Sequence, residues 1–304
     1  MCFVPLLVIM TTFMIPNKVL SNQEGYQYIA SLYCQESSAV KNIILDFKYC
    51  YNFDANLSAV FGAIADSYHN QGGSVYVQNM SVGVRKALSR NGFLFVLKPE
   101  EQLEEKENYV PYKRFKRSAA DEFKRYIDDW VIAKSKFPKH TKLAGEKISE
   151  TLYELYVNAI THGQSQYVYS CGEHFNRNGN NRLCITIVDM GVTIPANVNQ
   201  FLQKEGNTIL EVCEAIQWAF VCGNTTKDTP GGLGLALLQD FIRQNEGAMQ
   251  MISANGMLEY RNGRISTQVL SHSFPGTIVN LEFNFDDPKN YFMRSELKDS
   301  ADLL

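Results

Sequence analysis

The strongest constraint on the fold is the alternation of strand-like and helix-like patterns between residues 42 and 98. The segment NIILDF is a short apolar run, which is typical of a strand covered on both faces. Five apolar residues then recur at helical spacing, namely Leu57, Val60, Phe61, Ile64 and Tyr68. QGG ends that helix, SVYVQN has a strand pattern, and VGVRKALSRNGF is helical again. This order predicts a small α/β domain with a partly parallel sheet.

An apolar run, residues 2 to 15, lies near the start of the sequence in MCFVPLLVIMTTFMIPNK. The run is too short to cross a bilayer, and no Lys or Arg precedes it as in a secretory signal. We interpret it as a buried strand pair or a start-site extension, with a membrane-associating segment as the alternative. We expect a cytoplasmic protein, because the seven cysteines are scattered without a CxxC pair, as reduced intracellular thiols are.

The composition changes between residues 99 and 118, where PEEQLEEKENYVPYKRFKRS has no apolar period. We predict a charged linker here, with a solvated tether favoured over a basic contact to a nucleic acid or an acidic partner. Two helical segments, a strand, two further helices around a glycine-rich loop and an antiparallel set then follow. In that last part, Asn255-Gly256 and Asn262-Gly263 are hairpin-turn signals.

One predicted helix carries a row of polar residues beside its apolar stripe. Glu154, Asn158 and His162 are four residues apart, so they share one face of the helix ELYVNAITHG. A solvated hydrogen-bonding ladder is the simpler interpretation of this spacing alone. Because the row borders an apolar stripe, the alternative is the wall of a pocket.

Two later segments carry residues suited to binding an anionic ligand. Asp189 directly follows a strand in IVDMGVTIP, and Gly191 permits a tight turn near a ligand. In GNTTKDTPGGLGLALLQ, glycines lead straight into an apolar-faced helix, so that free backbone N–H groups and the helix dipole favour an anion. The segment is neither a Walker A loop nor a dinucleotide-binding fingerprint. Taken singly, an Asp that caps a turn and a plain glycine loop remain adequate explanations.

Taken in order, ELYVNAITH, DMGVTIP, GGLGLALL and GTIVNLEF resemble the N, G1 and G2 boxes and the closing Thr strand of the GHKL ATPases, over residues 119 to 286. Within that superfamily, the short N box and the compact lid most resemble those of the anti-sigma-factor serine kinases and related ATP-binding proteins. This resemblance implies a Bergerat fold, an α/β sandwich with a mixed sheet and helices on one face. Residues 43 to 94 similarly resemble the STAS domain of anti-sigma-factor antagonists. The expected organisation is a two-domain α/β protein: STAS-like domain 1–98, linker 99–118, GHKL domain 119–290 and C-terminal tail 291–304.

The resemblance also implies roles for individual residues in binding ATP and Mg²⁺. Asn158 would hold Mg²⁺, Glu154 would act as general base, and Asp189 would bind the adenine amino group. The remaining implied nucleotide-binding residues are Gly191, Thr226, Lys227, Gly231, Gly232, Gly234, Leu235 and Thr277. His162 is expected to be structural or near the phosphates, and its spacing from Cys171 and His174 fits no common metal site.

Two positions depart from the family patterns. Thr193 stands where the G1 box DxGxG has its second glycine, and we expect its side chain to narrow the loop beside adenine. Asn56 stands where STAS antagonists carry a phosphorylatable Ser, although Ser58 lies close by. We therefore interpret the STAS-like domain as a built-in docking or dimerisation surface rather than a regulated substrate.

The functional expectation is a protein kinase or ATP-driven regulatory switch that acts on a protein partner, of STAS type or from a sigma-factor pathway. The alternative is a non-catalytic nucleotide-binding interaction module, and a homodimer is left open. The net charge of −3 gives no electrostatic reason to expect binding to a nucleic acid or a membrane.

Overall fold

The computed structural model describes residues 10–34, 42–98, 109–177, 179–221, 223–226 and 233–296. From residue 42 to residue 98, strands and helices alternate as the sequence predicts. The elements of this first unit are β1 (Met10–Met14), β2 (Lys18–Val19), α1 (Gln23–Cys34), β3 (Asn42–Asp46), β4 (Asn52–Phe53), α2 (Ser58–Asn70), β5 (Ser74–Gln78), α3 (Val82–Arg90) and α4 (Phe93–Leu97). The strands β1, β3 and β5 form a parallel sheet, and β2 pairs with β4, also in parallel.

Helix α2 is the centre of the first unit because its apolar residues all face inward. The five residues at helical spacing, from Leu57 to Tyr68, are each no more than 3% exposed. The helix ends at Asn70, and Gly72 takes a left-handed φ of 77°, which glycine adopts without strain. The predicted helix and its glycine stop are confirmed. The part of the apolar run 2–15 before residue 10 lies outside the described residues, and the rest forms β1.

The second unit contains a five-stranded sheet with helices packed against it. Its elements are β6 (Tyr109–Lys116), α5 (Ala120–Ile127), β7 (Lys139–His140), α6 (Lys142–Thr161), β8 (Tyr167–Arg177), β9 (Asn180–Asp189), α7 (Ile194–Lys204), α8 (Val212–Phe220), α9 (Leu233–Gln244), β10 (Ala248–Arg261), β11 (Arg264–Asn284) and β12 (Asn290–Tyr291). The sheet order is β10-β11-β9-β8-β6, and all four pairings are antiparallel where a mixed sheet was predicted. Parallel pairs join β12 to β7 and build the sheets of the first unit. In the described part of the chain, no helix is long and apolar enough to cross a membrane.

Residues 109–116 form an edge strand, so the prediction of a linker is wrong for this part. Strand β6 pairs with β8 and buries Val110 and Phe115 completely. One extra residue bulges out of β6 between Val110 and Lys113, which breaks the apolar alternation that would have marked a strand. Residues 99–108 lie outside the described residues.

The predicted tail also needs correction at its start. Tyr291 pairs with His140 through the β12–β7 ladder and is 8% exposed, so this residue belongs to the core of the second unit. Its ring packs edge-on against Phe241, with 4.8 Å between the ring centroids. A tail prediction followed from the polar residues around it, because a two-residue strand leaves no periodic signal. Residues 297–304 lie outside the described residues.

The two Asn-Gly signals have different outcomes. Asn262 and Gly263 form the predicted turn between β10 and β11, both with positive φ. Asn255-Gly256 instead lies within β10, at a shift in the strand register. A Cβ atom on Gly256 would lie 2.6 Å from Ile216 Cδ1, so this glycine lets α8 approach the strand.

Both faces of the five-stranded sheet are covered. Residues from Leu183 to Asp189 in β9 are all buried. Ile185 and Ile187 belong to the core shared with α5, α6 and α9, whereas Val188 belongs to a core shared with α1 and α2 of the first unit. Alternate side chains of β9 therefore point to two different buried faces of the sheet. Helices α6 and α9 cover one face, and the first unit covers the other.

A buried polar cluster joins the two units. The Asn56 side-chain amide lies 2.8 Å from Thr186 Oγ1 and 3.0 Å from Asn280 Oδ1, both on the sheet face that the first unit covers. The backbone N–H of Ala55 donates to Glu173 Oε2 at 2.7 Å. Ser58 is fully buried, and its Oγ accepts a hydrogen bond from Asn91 Nδ2. The start of α2 is thus enclosed by the second unit, and neither Asn56 nor Ser58 faces solvent.

Candidate functional site

A cavity of about 470 Å³ lies between the sheet and the helices of the second unit. This volume is within the range of small-molecule binding pockets. The strands supply its floor, with Ile187, Asp189, Met251, Thr277 and Val279. Its walls come from helices α6, α7, α8 and α9 and from the segment before α9, and they include Glu154, Asn158, His162, Val198, Trp218, Thr226 and Leu235. The cavity is therefore mostly apolar, with a few converging polar groups.

Helix α6 supplies one wall because its two sides differ in character. Thr141 caps the helix by accepting a hydrogen bond from the N–H of Ala144, which fixes where the helix begins. Leu152 and Leu155 are buried in the core below. Glu154 and Asn158, one turn apart, are exposed at the cavity wall, as the spacing in the sequence predicts.

Asp189 is the buried carboxylate of the cavity floor. It ends strand β9 and stands opposite Thr277 of β11 in the strand register, so both side chains belong to the same face. Asp189 Oδ1 accepts a hydrogen bond from the N–H of Gly191 at 3.0 Å. Burial raises the pKa of Asp189 to about 7, and this hydrogen bond lowers it only partly. A carboxyl group in such a position is a common feature of binding sites.

Two glycines bring the end of α6 against the turn after β9. The N–H of Val192 donates to the carbonyl oxygen of Gly163 at 2.7 Å. A Cβ atom on Gly191 would lie 1.9 Å from that same oxygen, a distance that no side chain permits. On Gly163, a Cβ would lie 2.8 Å from Asp189 Oδ1. Glycine at 191 therefore holds the polar row of α6 close to the carboxylate.

Ser253 of β10 links three segments of the site, and the sequence analysis missed it. Its hydroxyl donates to the carbonyl oxygen of Gly276 at 2.7 Å and accepts from the N–H of Ile194 at 2.9 Å. Its oxygen also lies 3.2 Å from Thr277 Oγ1. The only signal in the sequence is a polar residue at an inward position of a strand, after Met249 and Met251.

Thr193 caps helix α7 instead of narrowing the cavity. Its side chain accepts a hydrogen bond from the N–H of Ala196, and its φ of −71° needs no glycine. Val192 and Ile194 line the cavity on either side, whereas Thr193 does not. The expectation that Thr193 narrows the loop is therefore wrong, because its hydroxyl is used by the helix that begins there.

The segment before α9 meets the end of α6 through one contact. Thr226 Oγ1 lies 2.9 Å from His162 Nδ1, and the His162 carbonyl accepts from Asn197 Nδ2 at 2.8 Å. Gly234 lies in the first turn of α9, followed by Leu235 at the cavity wall. The other predicted loop residues, Lys227, Gly231 and Gly232, lie outside the described residues.

The residues present suit a hard cation at the mouth of the cavity. Asn158 offers an exposed amide oxygen, and Glu154 offers a carboxylate one turn before it, both of the type that Mg²⁺ prefers. Across the described residues, no cluster of three or more His, Cys, Asp or Glu is arranged to hold a metal by itself. His174 is engaged elsewhere, with its Nε2 lying 2.6 Å from Asn181 Oδ1. A cation here would therefore need ligands from a bound anion or water.

The described lining of the cavity carries acidic side chains and no basic ones. Glu154 and Asp189 contribute carboxyl groups, and none of the lining residues that the structure describes is Lys or Arg. A phosphate-bearing ligand would then depend on backbone N–H groups and a divalent cation for neutralisation.

Comparison with known proteins gives no family assignment. A scan against models of known protein families finds no match, and a search of curated proteins finds no significant relative.

Proposed function

We propose that this chain binds Mg-ATP as a GHKL-type protein, with a Bergerat-fold second unit and a STAS-like first unit. One observation supports this proposal above the others. A single cavity gathers six of the residues to which the resemblance gives nucleotide or catalytic roles: Glu154, Asn158, Asp189, Thr226, Leu235 and Thr277. These residues are up to 123 positions apart in the sequence, so their convergence is a property of the fold.

In this proposal some polar groups of the cavity contact the adenine base and the others contact the phosphates. The buried carboxylate of Asp189 accepts from the amino group of adenine, with Thr277 beside it. Asn158 holds Mg²⁺ against the phosphates, and the start of α9 supplies N–H groups to them. The cation neutralises the negative charge of the phosphates, because the described lining residues include no Lys or Arg that could do so.

The proposed activity is that of a protein kinase or an ATP-driven switch. Glu154 is the proposed general base, because it is exposed at the cavity wall one turn before Asn158. Ser58 is a poor acceptor for the phosphoryl group, since it is buried and α2 covers the opposite face of the sheet. The acceptor in this proposal is therefore water or a separate protein partner.

Calorimetric titration with ATP, with and without Mg²⁺, tests the binding. We expect saturable binding that requires Mg²⁺ and that Asn158→Ala weakens at least tenfold. Lys147 and Glu150 form an exposed ion pair on α6 away from the cavity, so Glu150→Gln is a matched control that leaves binding unchanged. If the wild-type protein does not bind ATP with Mg²⁺ present, the proposal is wrong.

Glu154→Gln separates catalysis from binding. We expect ATP affinity within about twofold of wild type and turnover lowered on the order of 100-fold or more, the usual contribution of a general base. Mass spectrometry after incubation with ATP and candidate partner proteins would identify a phosphosite. Binding without turnover in the wild type would instead favour the non-catalytic interaction module.

A further inference from the structure

The hydroxyl groups of Ser253 and Thr277 have a defined direction of hydrogen bonding. A serine hydroxyl has one proton and two lone pairs. The Ser253 proton goes to the carbonyl oxygen of Gly276, and one lone pair accepts from the N–H of Ile194. In the remaining contact, at 3.2 Å, either hydroxyl could donate by geometry alone, and we assign Thr277 as the donor because the Ser253 proton is already used.

This direction decides what Thr277 offers to a ligand. Its only proton is used by Ser253, so the oxygen presents lone pairs alone to the cavity that it lines. Asp189 is the partner of Thr277 in the strand register, and its Oδ1 accepts a hydrogen bond from the N–H of Gly191. The other carboxylate oxygen, Oδ2, has no hydrogen-bond partner among the described residues. When Asp189 is ionised, the floor therefore presents two neighbouring acceptors and no donor.

We propose that Ser253 is a specificity-determining positioning residue, which makes Thr277 an acceptor so that the cavity floor selects a 6-amino purine over a 6-oxo purine. The inference rests on the proposed nucleotide binding and deepens it. A 6-amino group can donate one hydrogen bond to the Asp189 carboxylate and one to the Thr277 oxygen. A 6-oxo group has no proton to donate and places a third acceptor next to these two. Leaving buried polar groups unmatched is costly, which is why such sites discriminate well.

ATP and inosine triphosphate form a matched pair for the test, because they differ at position 6 and in the proton on N1. Dissociation constants are measured by calorimetry with Mg²⁺ at pH 8, where Asp189 is mostly ionised. Wild type should favour ATP by more than tenfold. In Ser253→Ala, Thr277 regains a free proton, and we expect the preference to fall on the order of tenfold, mainly through tighter binding of inosine triphosphate.

Ser170→Ala is the matched control, since Ser170 is a fully buried serine of the same sheet that does not line the cavity. It should leave the preference unchanged. Thr277→Val removes the hydroxyl with little change in shape. It should lower the preference for ATP over inosine triphosphate even though Ser253 is unchanged. Adding Ser253→Ala to Thr277→Val should then have no further effect on the preference.

A purely structural role for Ser253 gives a different result. It would weaken both nucleotides equally and leave their ratio unchanged, and this outcome overturns the inference while the proposed function stands. An unchanged ratio in Thr277→Val overturns it too, even if Ser253→Ala does not fold. Failure of the wild type to bind either nucleotide would overturn the proposed function and this inference together.

Discussion

The side-chain amide of Asn56 lies 2.8 Å from Thr186 Oγ1, across the boundary between the first and second units. Asn56 is 1% exposed and Thr186 is fully buried. Because one hydrophobic core also contains side chains from both units, we expect the two units to unfold together.

Asn56→Ala should lower the free energy of unfolding by about 1–3 kcal/mol, because it removes a buried amide donor from the Thr186 hydroxyl and from Asn280 Oδ1, which keeps the Thr186 hydroxyl as its donor. Urea titration followed by circular dichroism and by fluorescence measures this change. Asn70→Ala, at the exposed end of α2, is the control and should stay within about 0.5 kcal/mol. Two separate transitions in the wild type would contradict a shared core.

Asp189→Asn should change how stability depends on pH. Burial raises the folded-state pKa of Asp189 to about 7 from an ordinary value of 3.8, so the folded state holds this proton more tightly. Its contribution to stability is complete below pH 3.8 and is lost as pH rises to about 7. The difference between wild type and variant should therefore change by about 1.4 kcal/mol per pH unit in this window and level off above it. A difference that is constant from pH 4 to pH 7 would show that the carboxyl titrates normally.

Gly191→Ala should damage the site and the fold together. The new Cβ would lie 1.9 Å from the carbonyl oxygen of Gly163, so the turn must move away from α6. We expect a loss of more than about 2 kcal/mol of unfolding free energy and at least tenfold weaker ATP binding. Gly83→Ala, in α3 with open space around it, should instead stabilise the protein by about 0.5–1 kcal/mol. Equal effects of the two variants on the melting temperature would argue against the close approach.

Thr193→Gly introduces the second glycine of the GHKL-type G1 pattern that the segment resembles, but it should not improve binding of the proposed nucleotide. The substitution removes the cap of α7, which costs a few tenths of a kcal/mol, and leaves the cavity lining unchanged. Thermal unfolding and ATP titration of Thr193→Gly and Thr193→Ser check this expectation, with Ser keeping the cap. A gain in ATP affinity on removing the side chain would mean that Thr193 does restrict the site.

Helices α2 and α6 and the polar residues of the cavity could be predicted because their signals are local, whereas α1 and α7 were not predicted. The spacing of Glu154 and Asn158 follows from the helical period, and Asp189 follows a clear strand. Val110 was missed because a bulge in β6 broke the alternation, and Tyr291 because its strand has only two residues. Ser253 was missed for another reason: its role depends on Ile194 and Gly276, which only the folded chain brings to it.

Strand β9 has a buried stretch from Leu183 to Asp189, with the cavity and α6 on one side and the first unit on the other. A substitution at any position in this stretch would disturb packing on one of the two faces, so few substitutions here should be neutral. In chains descended from a common ancestor, we therefore expect changes here to be rare and to occur in compensating pairs. One member of each pair would lie in β9, and the other in whichever helix packs against that face.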